Sequence, residues 1–310
     1  MANLTATAAD LPPAVAAALA SATPDLAGAE RRTLEVGGIP WASVSWGDPA
    51  DAPVLLVHGV TSNADTYWRI GPAIAAGGRH VVAVDLPGHG RTGHWSGRHR
   101  FAETATDLAG WIRASGLAAR DLAAGGLAVL GHSWGAMVVA ALPAAGLRPE
   151  RMVLLDPPVL PLWALEMMTK DPLEHRYDDL GEAMDAIRSA NLGWSEGDVR
   201  AKALGLTQFT ESAALAILLE NGEWDGGLAA LADPAAAGIP TWVIRGVPEA
   251  GCFVPDAAVP AFRARVGHDH VITIADAPHS PQRTHPEATT LAILRALGIV
   301  PNAVERVDLG

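Results

Sequence analysis

The residue in this chain best suited to covalent chemistry is Ser133, which lies within the stretch LAVLGHSWGAM at residues 127–137. An apolar run precedes the serine and a run of small and apolar residues follows it, which predicts a strand, a sharp turn and a helix. Gly131 and Gly135 flank the turn, and their lack of side chains allows the strained backbone that it needs. The N-terminus of the following helix would favour negative charge that develops beside the serine hydroxyl.

A serine hydroxyl is a weak nucleophile near neutral pH, so it needs a base to take its proton and an acid to orient that base. His279 is the candidate base, because it follows the last predicted strand and comes just before the last predicted helix. His285 is the nearby alternative, but it falls inside that helix. The sequence therefore favours His279.

The elements that position these residues alternate between strands and helices. Strands joined by right-handed helical crossovers form a mostly parallel sheet, and the active site of such a sheet lies beyond the carboxyl ends of its strands. The predicted buried strands lie near residues 53–57, 80–84, 127–130, 151–155, 241–245 and 270–274. A polar residue or a glycine follows each strand, and we expect these residues to meet at one edge of the sheet. They are His58, Asp85, Ser133, Asp156, Gly246 and the loop 276–279.

Composition gives the outline of the domains. Residues 1–30 are rich in alanine and lack an early basic residue, so we expect a peripheral N-terminal arm with a short helix rather than a signal peptide. Residues 31–158 and 231–310 form the predicted core. Residues 159–230 contain helical patterns and no strand-like run, and this segment is here called the helical insertion.

Charge and cysteine content limit the partners of this 310-residue chain. The formal net charge is −12 and no long basic run occurs, so neither nucleic acid nor an anionic membrane is an expected partner. Cys252 is the only cysteine, which excludes an intrachain disulfide and is consistent with the reducing cytoplasm. No histidine, cysteine and carboxylate spacing predicts a metal site, and no cofactor is expected.

Several motifs together resemble the α/β-hydrolase superfamily, and the resemblance covers about residues 31–297. They are the H-G-x loop at 58–60, the D-x-P-G-x-G turn at 85–90, the G-x-S-x-G turn at 131–135 and the histidine loop at 279. The resemblance implies an eight-stranded, mostly parallel sheet flanked by helices, with the helical insertion as a cap. It also implies that the backbone amides of Val60 and Trp134 form an oxyanion hole.

The acid is the point at which this sequence departs from the family. The family usually places an aspartate a few residues after the strand that here ends before Gly246. Glu249 has that spacing, so we favour it as the acid, although it is a glutamate and follows Pro248. Asp156, at the end of the preceding strand, is the alternative, and Asp256 is a third candidate.

These features predict a cofactor-independent serine hydrolase, most similar to carboxylesterases (EC 3.1.1). We expect a small-molecule substrate with an apolar part, cleaved at a carboxylic ester, lactone or thioester. Amide or carbon–carbon hydrolysis, a non-hydrolytic reaction (lyase, perhydrolase or cofactor-free oxygenase) and a non-enzymatic binding role are the alternatives. Ordinary packing is an equal explanation for the cap tryptophans among the pocket candidates, which are Thr61, Trp163, Met167, Trp194 and Trp224.

Overall fold

The computed structural model describes residues 3–94, 97–118, 125–171 and 174–301. Its strands are β1 (Glu30–Val36), β2 (Ile39–Trp46), β3 (Pro53–Val57), β4 (His80–Val84), β5 (Ala128–His132), β6 (Arg151–Leu155), β7 (Val159–Leu160), β8 (Trp224–Asp225), β9 (Thr241–Arg245) and β10 (Val271–Thr273). Eight of them form one sheet in the order β1-β2-β4-β3-β5-β6-β9-β10, and β7 pairs with β8. The pairs β1–β2 and β2–β4 are antiparallel and the other neighbours in the sheet are parallel. The predicted eight-stranded, mostly parallel sheet is confirmed.

Helices cover both faces of this sheet, which is why its central strands read as continuous apolar runs. The helices are α1 (Pro13–Ser21), α2 (Ile70–Ala75), α3 (Phe101–Ala114), α4 (Trp134–Ala141), α5 (Leu162–Met168), α6 (Leu180–Ala190), α7 (Glu196–Thr207), α8 (Glu211–Leu219), α9 (Leu228–Ala232), α10 (Val259–Val266), α11 (Pro281–Thr284) and α12 (Pro286–Ala296). One apolar cluster joins the sheet to α3, α4 and α10, and a second joins it to α1, α2 and α12. Every residue of β3, β4 and β5 is buried between these two clusters.

The helical insertion contains α5, α6, α7 and α8, as its helical patterns predict. Contrary to the expectation of no strand, β7 and β8 also lie within residues 159–230, and their length of two residues each is too short to give a strand pattern in the sequence. These helices lie between β7 and β8 in the chain. Their position brings the insertion over the carboxyl end of the sheet, because its residues and those of the strand ends line one cavity. The insertion can therefore shape access to anything that Ser133 contacts.

The N-terminal segment is not a peripheral arm, contrary to the expectation from its composition. Four of its leucine and valine side chains are buried: Leu11, Val15, Leu19 and Leu26. The amide of Leu4 donates to the carbonyl oxygen of Thr273 at 2.7 Å and continues the sheet beyond β10. The short helix expected in this segment is present as α1. Alanine-rich composition suggested a peripheral position, but a few well-spaced large apolar residues are enough to anchor such a helix.

Within the described ranges, none of the helices combines the length and the apolar character that crossing a bilayer requires.

Candidate active site

Ser133 occupies the sharp turn between β5 and α4. Its φ of 56° and ψ of −127° place a residue that has a side chain in a region usually reserved for glycine. A Cβ atom on Gly135 would overlap the carbonyl oxygens of Val57 and His58, and one on Gly131 would overlap the carbonyl of Gly135. Both glycines are therefore required by close backbone packing, which holds the strained serine in place.

Two hydrogen bonds connect Ser133 to a buried carboxylate through His279. Nε2 of His279 lies 2.9 Å from Ser133 Oγ, and Nδ1 lies 2.6 Å from Oδ2 of Asp156. Asp156 is completely buried. Because a carboxylate accepts hydrogen bonds only, Nδ1 carries the proton, which leaves Nε2 free to accept the serine proton. The structure thus brings together the predicted serine and histidine with the alternative acid, Asp156.

The preference for Glu249 as the acid is corrected by this geometry. Pro248 begins a single 3-10 turn, 248–250, that carries Glu249 into solvent. The third candidate, Asp256, is ion-paired with Arg245. The loop after β9 contributes a backbone donor instead of a carboxylate, because the amide of Phe253 donates to Asp156 Oδ2 at 2.9 Å.

His285, the alternative base, lies in the break between α11 and α12. Pro286 disfavours a helical conformation in the residue before it, so the single helix predicted here is interrupted. The ring nitrogen Nδ1 of His285 lies 2.9 Å from the hydroxyl of its neighbour Thr284. His279 alone of these two histidines contacts Ser133 in the described part of the chain.

The amides of Val60 and Trp134, the predicted oxyanion donors, belong to residues next to Gly59 and Ser133 in the chain. Trp134 is the first residue of α4, where an amide has no acceptor within the helix. Gly59 approaches the nucleophile so closely that a Cβ atom there would lie 2.9 Å from the Cβ of Ser133. Among the described residues neither amide has a protein acceptor. Both remain available to a ligand.

His58 orients the Val60 amide and does not take part in the chain of hydrogen bonds to Ser133. Burial lowers the pKa of His58 to about 4, so its ring is neutral near pH 7. Nε2 accepts from the amide of Leu86 at 3.0 Å, and Nδ1 therefore donates to the carbonyl oxygen of Gly59 at 2.8 Å. In a trans peptide the carbonyl and the next amide point in opposite directions, so this bond turns the Val60 amide away from His58.

Asp85 has a similar bracing role in the neighbouring loop. Its carboxylate accepts the amides of Ala64 at 2.6 Å and Arg91 at 2.8 Å. Burial raises the pKa of Asp85 to about 6. Gly90 is needed beside it, because a Cβ atom there would overlap the carboxylate.

Sequence reasoning missed two residues that hold His279. Nε2 of His132 lies 2.9 Å from the carbonyl oxygen of His279, and burial, with the neighbouring His279, lowers the pKa of His132 well below its usual value. Because a carbonyl oxygen only accepts, Nε2 carries the proton of this neutral ring and donates the bond. Phe253 stacks on the His279 ring, with ring centroids 4.0 Å apart. His132 stands at a variable position of the serine motif and Phe253 in an irregular loop, so neither carried a sequence signal.

A cavity of about 380 Å³ opens beside Ser133 between the sheet and the helical insertion. One part of it is apolar and includes Leu160, Leu218, Trp224 and Phe253, and another part carries Thr61, Glu174, Lys202 and Arg283. Of the predicted pocket residues, Thr61 and Trp224 line the cavity. No group of three or more histidine, cysteine or acidic side chains is placed to hold a metal ion within the described residues.

Three predicted pocket residues lie elsewhere. Trp163 and Met167 are 67% and 59% exposed, because they face outward on α5 while Met168 faces the cavity. Trp194 packs against the guanidinium group of Arg283, whose central carbon lies 4.6 Å from its ring. Neighbouring residues of a helix point about 100° apart, so only one of two adjacent methionines can face the cavity.

Comparisons with known proteins show which families and chains this one is similar to. The model of the Alpha/beta hydrolase family matches residues 54–292. A Drosophila melanogaster protein described as a probable serine hydrolase is 33% identical over 60 residues, 18% of each chain. The Homo sapiens serine hydrolase-like protein is 29% identical over 137 residues, 42% of this chain and 63% of that protein. These alignments cover less than two thirds of either relative.

Among solved structures, E-2-(acetamidomethylene)succinate hydrolase is similar, with a TM-score of 0.72 and 21% identity. The superposition covers 87% of this chain and 99% of that one. At this level of identity the likeness shows a shared fold.

Proposed function

The chain belongs to the alpha/beta hydrolase family, and on this premise we propose that it is a serine hydrolase acting on a small carboxylic ester, lactone or thioester (EC 3.1.1). The observation that carries the proposal is the continuous chain of hydrogen bonds from Asp156 through His279 to Ser133. A nucleophile, a base and an acid in this geometry form an acyl-transfer site.

The first half of the reaction forms an acyl-enzyme. Ser133 Oγ attacks the carbonyl carbon while its proton moves to Nε2 of His279. Asp156 stabilises the resulting imidazolium through Nδ1. The tetrahedral intermediate then collapses, and His279 donates the same proton to the departing alcohol or thiol.

The second half repeats this sequence with water. His279 takes a proton from water, whose oxygen attacks the acyl carbon, and the bond to Ser133 Oγ breaks as the proton returns to the serine. In both halves the amides of Val60 and Trp134 donate to the negatively charged oxygen. Loss of one such donor typically costs about 3 kcal/mol of transition-state stabilisation.

The helical insertion acts in this proposal as a cap. The apolar part of the cavity would enclose an apolar part of the substrate, and enclosure removes water that would weaken the hydrogen bonds at the carbonyl. Both β7 and β8 contribute to this wall, through Leu160 and Trp224.

The test is hydrolysis of p-nitrophenyl esters from acetate to laurate by the native protein and by Ser133→Ala. We expect turnover by the native protein, a decrease of at least about 10³-fold in Ser133→Ala, and an optimum chain length set by the cavity. A fluorophosphonate should label the native protein and Ser280→Ala, which removes another serine that lines the cavity, but not Ser133→Ala. Equal turnover by native protein and Ser133→Ala, or absence of both turnover and labelling, would contradict the proposal.

A further inference from the structure

Two buried cationic side chains line the cavity, and the hydrolysis of an uncharged ester does not require them. Lys202 lies on α7 and Arg283 on α11, and they are 6% and 7% exposed. Burial lowers the pKa of both groups. Removing a cation from water is unfavourable in free energy unless an anion or several hydrogen-bond acceptors replace the water. Their presence beside Ser133 therefore points to an anionic ligand.

The ammonium group of Lys202 already binds a carboxylate from the protein itself. Nζ lies 2.9 and 2.8 Å from the two carboxylate oxygens of Glu174, and 2.9 Å from Thr61 Oγ1. The Thr61 hydroxyl also contacts the Glu174 carboxylate. Glu174 lies in the segment between α5 and α6, and its side chain is 29% exposed. The position beside Lys202 thus has the donors, and the space, that a carboxylate needs.

Arg283 adds donors that no carboxylate among the described residues uses. Nη2 donates to Thr66 Oγ1 at 3.1 Å, and Nε is buried without an acceptor. No carboxylate of the described residues is ion-paired with this guanidinium group, although those of Asp198 and Glu174 act on it from further away. Asp198 is itself paired with Arg69 at 3.2 Å. Arg283 therefore keeps a positive charge that the protein does not neutralise by direct contact.

The two cations lie close to the place where the reacting carbonyl would bind. Thr61, which Lys202 contacts, directly follows the oxyanion donor Val60, and successive Cα atoms are about 3.8 Å apart. Arg283 comes four residues after His279. A substrate whose carbonyl reacts with Ser133 and whose anionic group binds here would therefore have only a short carbon chain between the two groups.

Two further acidic residues, Asp171 and Glu211, also line the cavity. The negative charge of Asp171 favours the charged form of Lys202.

We propose that Thr61, Lys202 and Arg283 form an anion subsite that binds a carboxylate group of the substrate. Glu174 occupies the subsite in the free protein, and the substrate carboxylate displaces it. The substrate is then a short monoester or monothioester of a dicarboxylic acid, or a related carboxylate-bearing lactone. The inference rests on the proposed function for the bond that is cleaved, but recognition of the carboxylate can be measured without catalysis.

The kinetic test compares mono-p-nitrophenyl glutarate with p-nitrophenyl pentanoate, which has the same acyl chain length and no charge. The measured quantity is the ratio of kcat/KM for the charged ester to that for the uncharged ester. Lys202→Met and Arg283→Met should each lower this ratio at least about tenfold, since each removes a charge-assisted hydrogen-bond donor. Glu174→Gln should raise the ratio about threefold or more, because it removes the competing carboxylate.

Arg188→Gln is the matched control. Arg188 is an exposed cation of the same helical insertion, ion-paired with Asp185 and Glu196, and its loss should leave the ratio unchanged. Glu174→Gln preserves the shape of the side chain, so it tests the subsite even if Lys202→Met fails to fold. A ratio that is the same in Lys202→Met, Arg283→Met, Glu174→Gln and native protein would overturn the proposal.

A binding test separates this inference from the proposed function. Monomethyl glutarate is titrated calorimetrically into Ser133→Ala, with methyl butyrate as the uncharged comparison. We expect only monomethyl glutarate to bind, with a Kd about tenfold higher when Lys202→Met is added and lower when Glu174→Gln is added. Absence of this binding, with or without Glu174→Gln, overturns the anion subsite. Intact binding without turnover of either ester by the native protein supports the subsite and overturns the hydrolase proposal alone.

Discussion

At the scale of single residues, the chain of hydrogen bonds to Ser133 depends on side chains that carry no reacting atom. His132 holds the backbone of His279, and Phe253 both stacks on its ring and donates to Asp156. Each limits the rotation of a group that must stay aligned within a few tenths of an ångström. Asp156 itself has a φ of 43°, and the amide of Phe253 and the ring of His279 hold its carboxylate.

The two candidate acids predict opposite outcomes of substitution. Asp156→Asn should lower kcat for p-nitrophenyl esters by about 10³-fold or more, because an amide neither stabilises the imidazolium nor selects the tautomer with a proton on Nδ1. Glu249→Gln is the matched control and should change kcat by less than twofold. Urea denaturation of both variants checks that they are folded. Loss of activity in Glu249→Gln with retention in Asp156→Asn would reverse the assignment.

At the scale of elements, the turn between β5 and α4 and the loop after β3 form one unit. Gly135 packs against the carbonyl oxygens of Val57 and His58, while Gly59 packs against Ser133. The contacts that hold the strained serine therefore also hold the loop that carries the Val60 amide. This mutual packing explains why glycine is needed on both segments.

Substitution of glycine by alanine tests this packing directly. Gly135→Ala should lower the free energy of unfolding by at least about 2 kcal/mol, because its Cβ overlaps backbone atoms that cannot move independently. Gly110→Ala, within α3 and with open space around it, should raise stability by about 0.5–1 kcal/mol. Urea denaturation followed by circular dichroism measures both changes. Equal stability of the two variants would contradict the prediction, because it would show that the turn can move to accommodate a Cβ atom on Gly135.

At the scale of the whole molecule, the sheet gathers distant residues at one edge and buries several ionisable groups in doing so. His58, His89 and His132 are all buried, and burial lowers the pKa of each. Asp85 has the opposite shift, with its pKa raised to about 6. Folding stability must therefore depend on pH.

The sign of that dependence follows from proton binding. Between about pH 6.5 and 4 the unfolded chain binds up to three histidine protons that the folded protein does not bind. Between about pH 6 and 3.8, Asp85 is protonated in the folded protein and ionised in the unfolded chain, so it has the opposite effect. The histidines outnumber the aspartate, so stability should decrease as pH decreases through this window.

Urea denaturation at pH 7.5 and 5.5 measures this effect, and the midpoint should be lower at pH 5.5. His89→Phe should reduce the difference, because each such histidine contributes about 1.4 kcal/mol per pH unit where only the unfolded chain is protonated. His268→Gln, which changes an exposed histidine, should leave the difference unchanged. Identical midpoints at both pH values for the native protein would show that the buried histidines do not control acid stability.

The sequence by itself determined the sheet, and it predicted Ser133 and His279, which the structure brings into contact. The apolar runs of β3, β4 and β5, the glycine pattern around Ser133 and the place of His279 after the last strand are local signals, and the rules for parallel sheets then bring these residues to one edge. The tertiary structure decided which carboxylate contacts His279, because Asp156 and Glu249 both follow strands that neighbour the site and only the course of the loop 247–253 selects between them. It also decided the cavity wall. Whether a helix presents Met167 or Met168, and whether Lys202 meets Glu174 in the cavity that Arg283 also lines, depends on the packing of segments far apart in the chain, which local patterns do not encode.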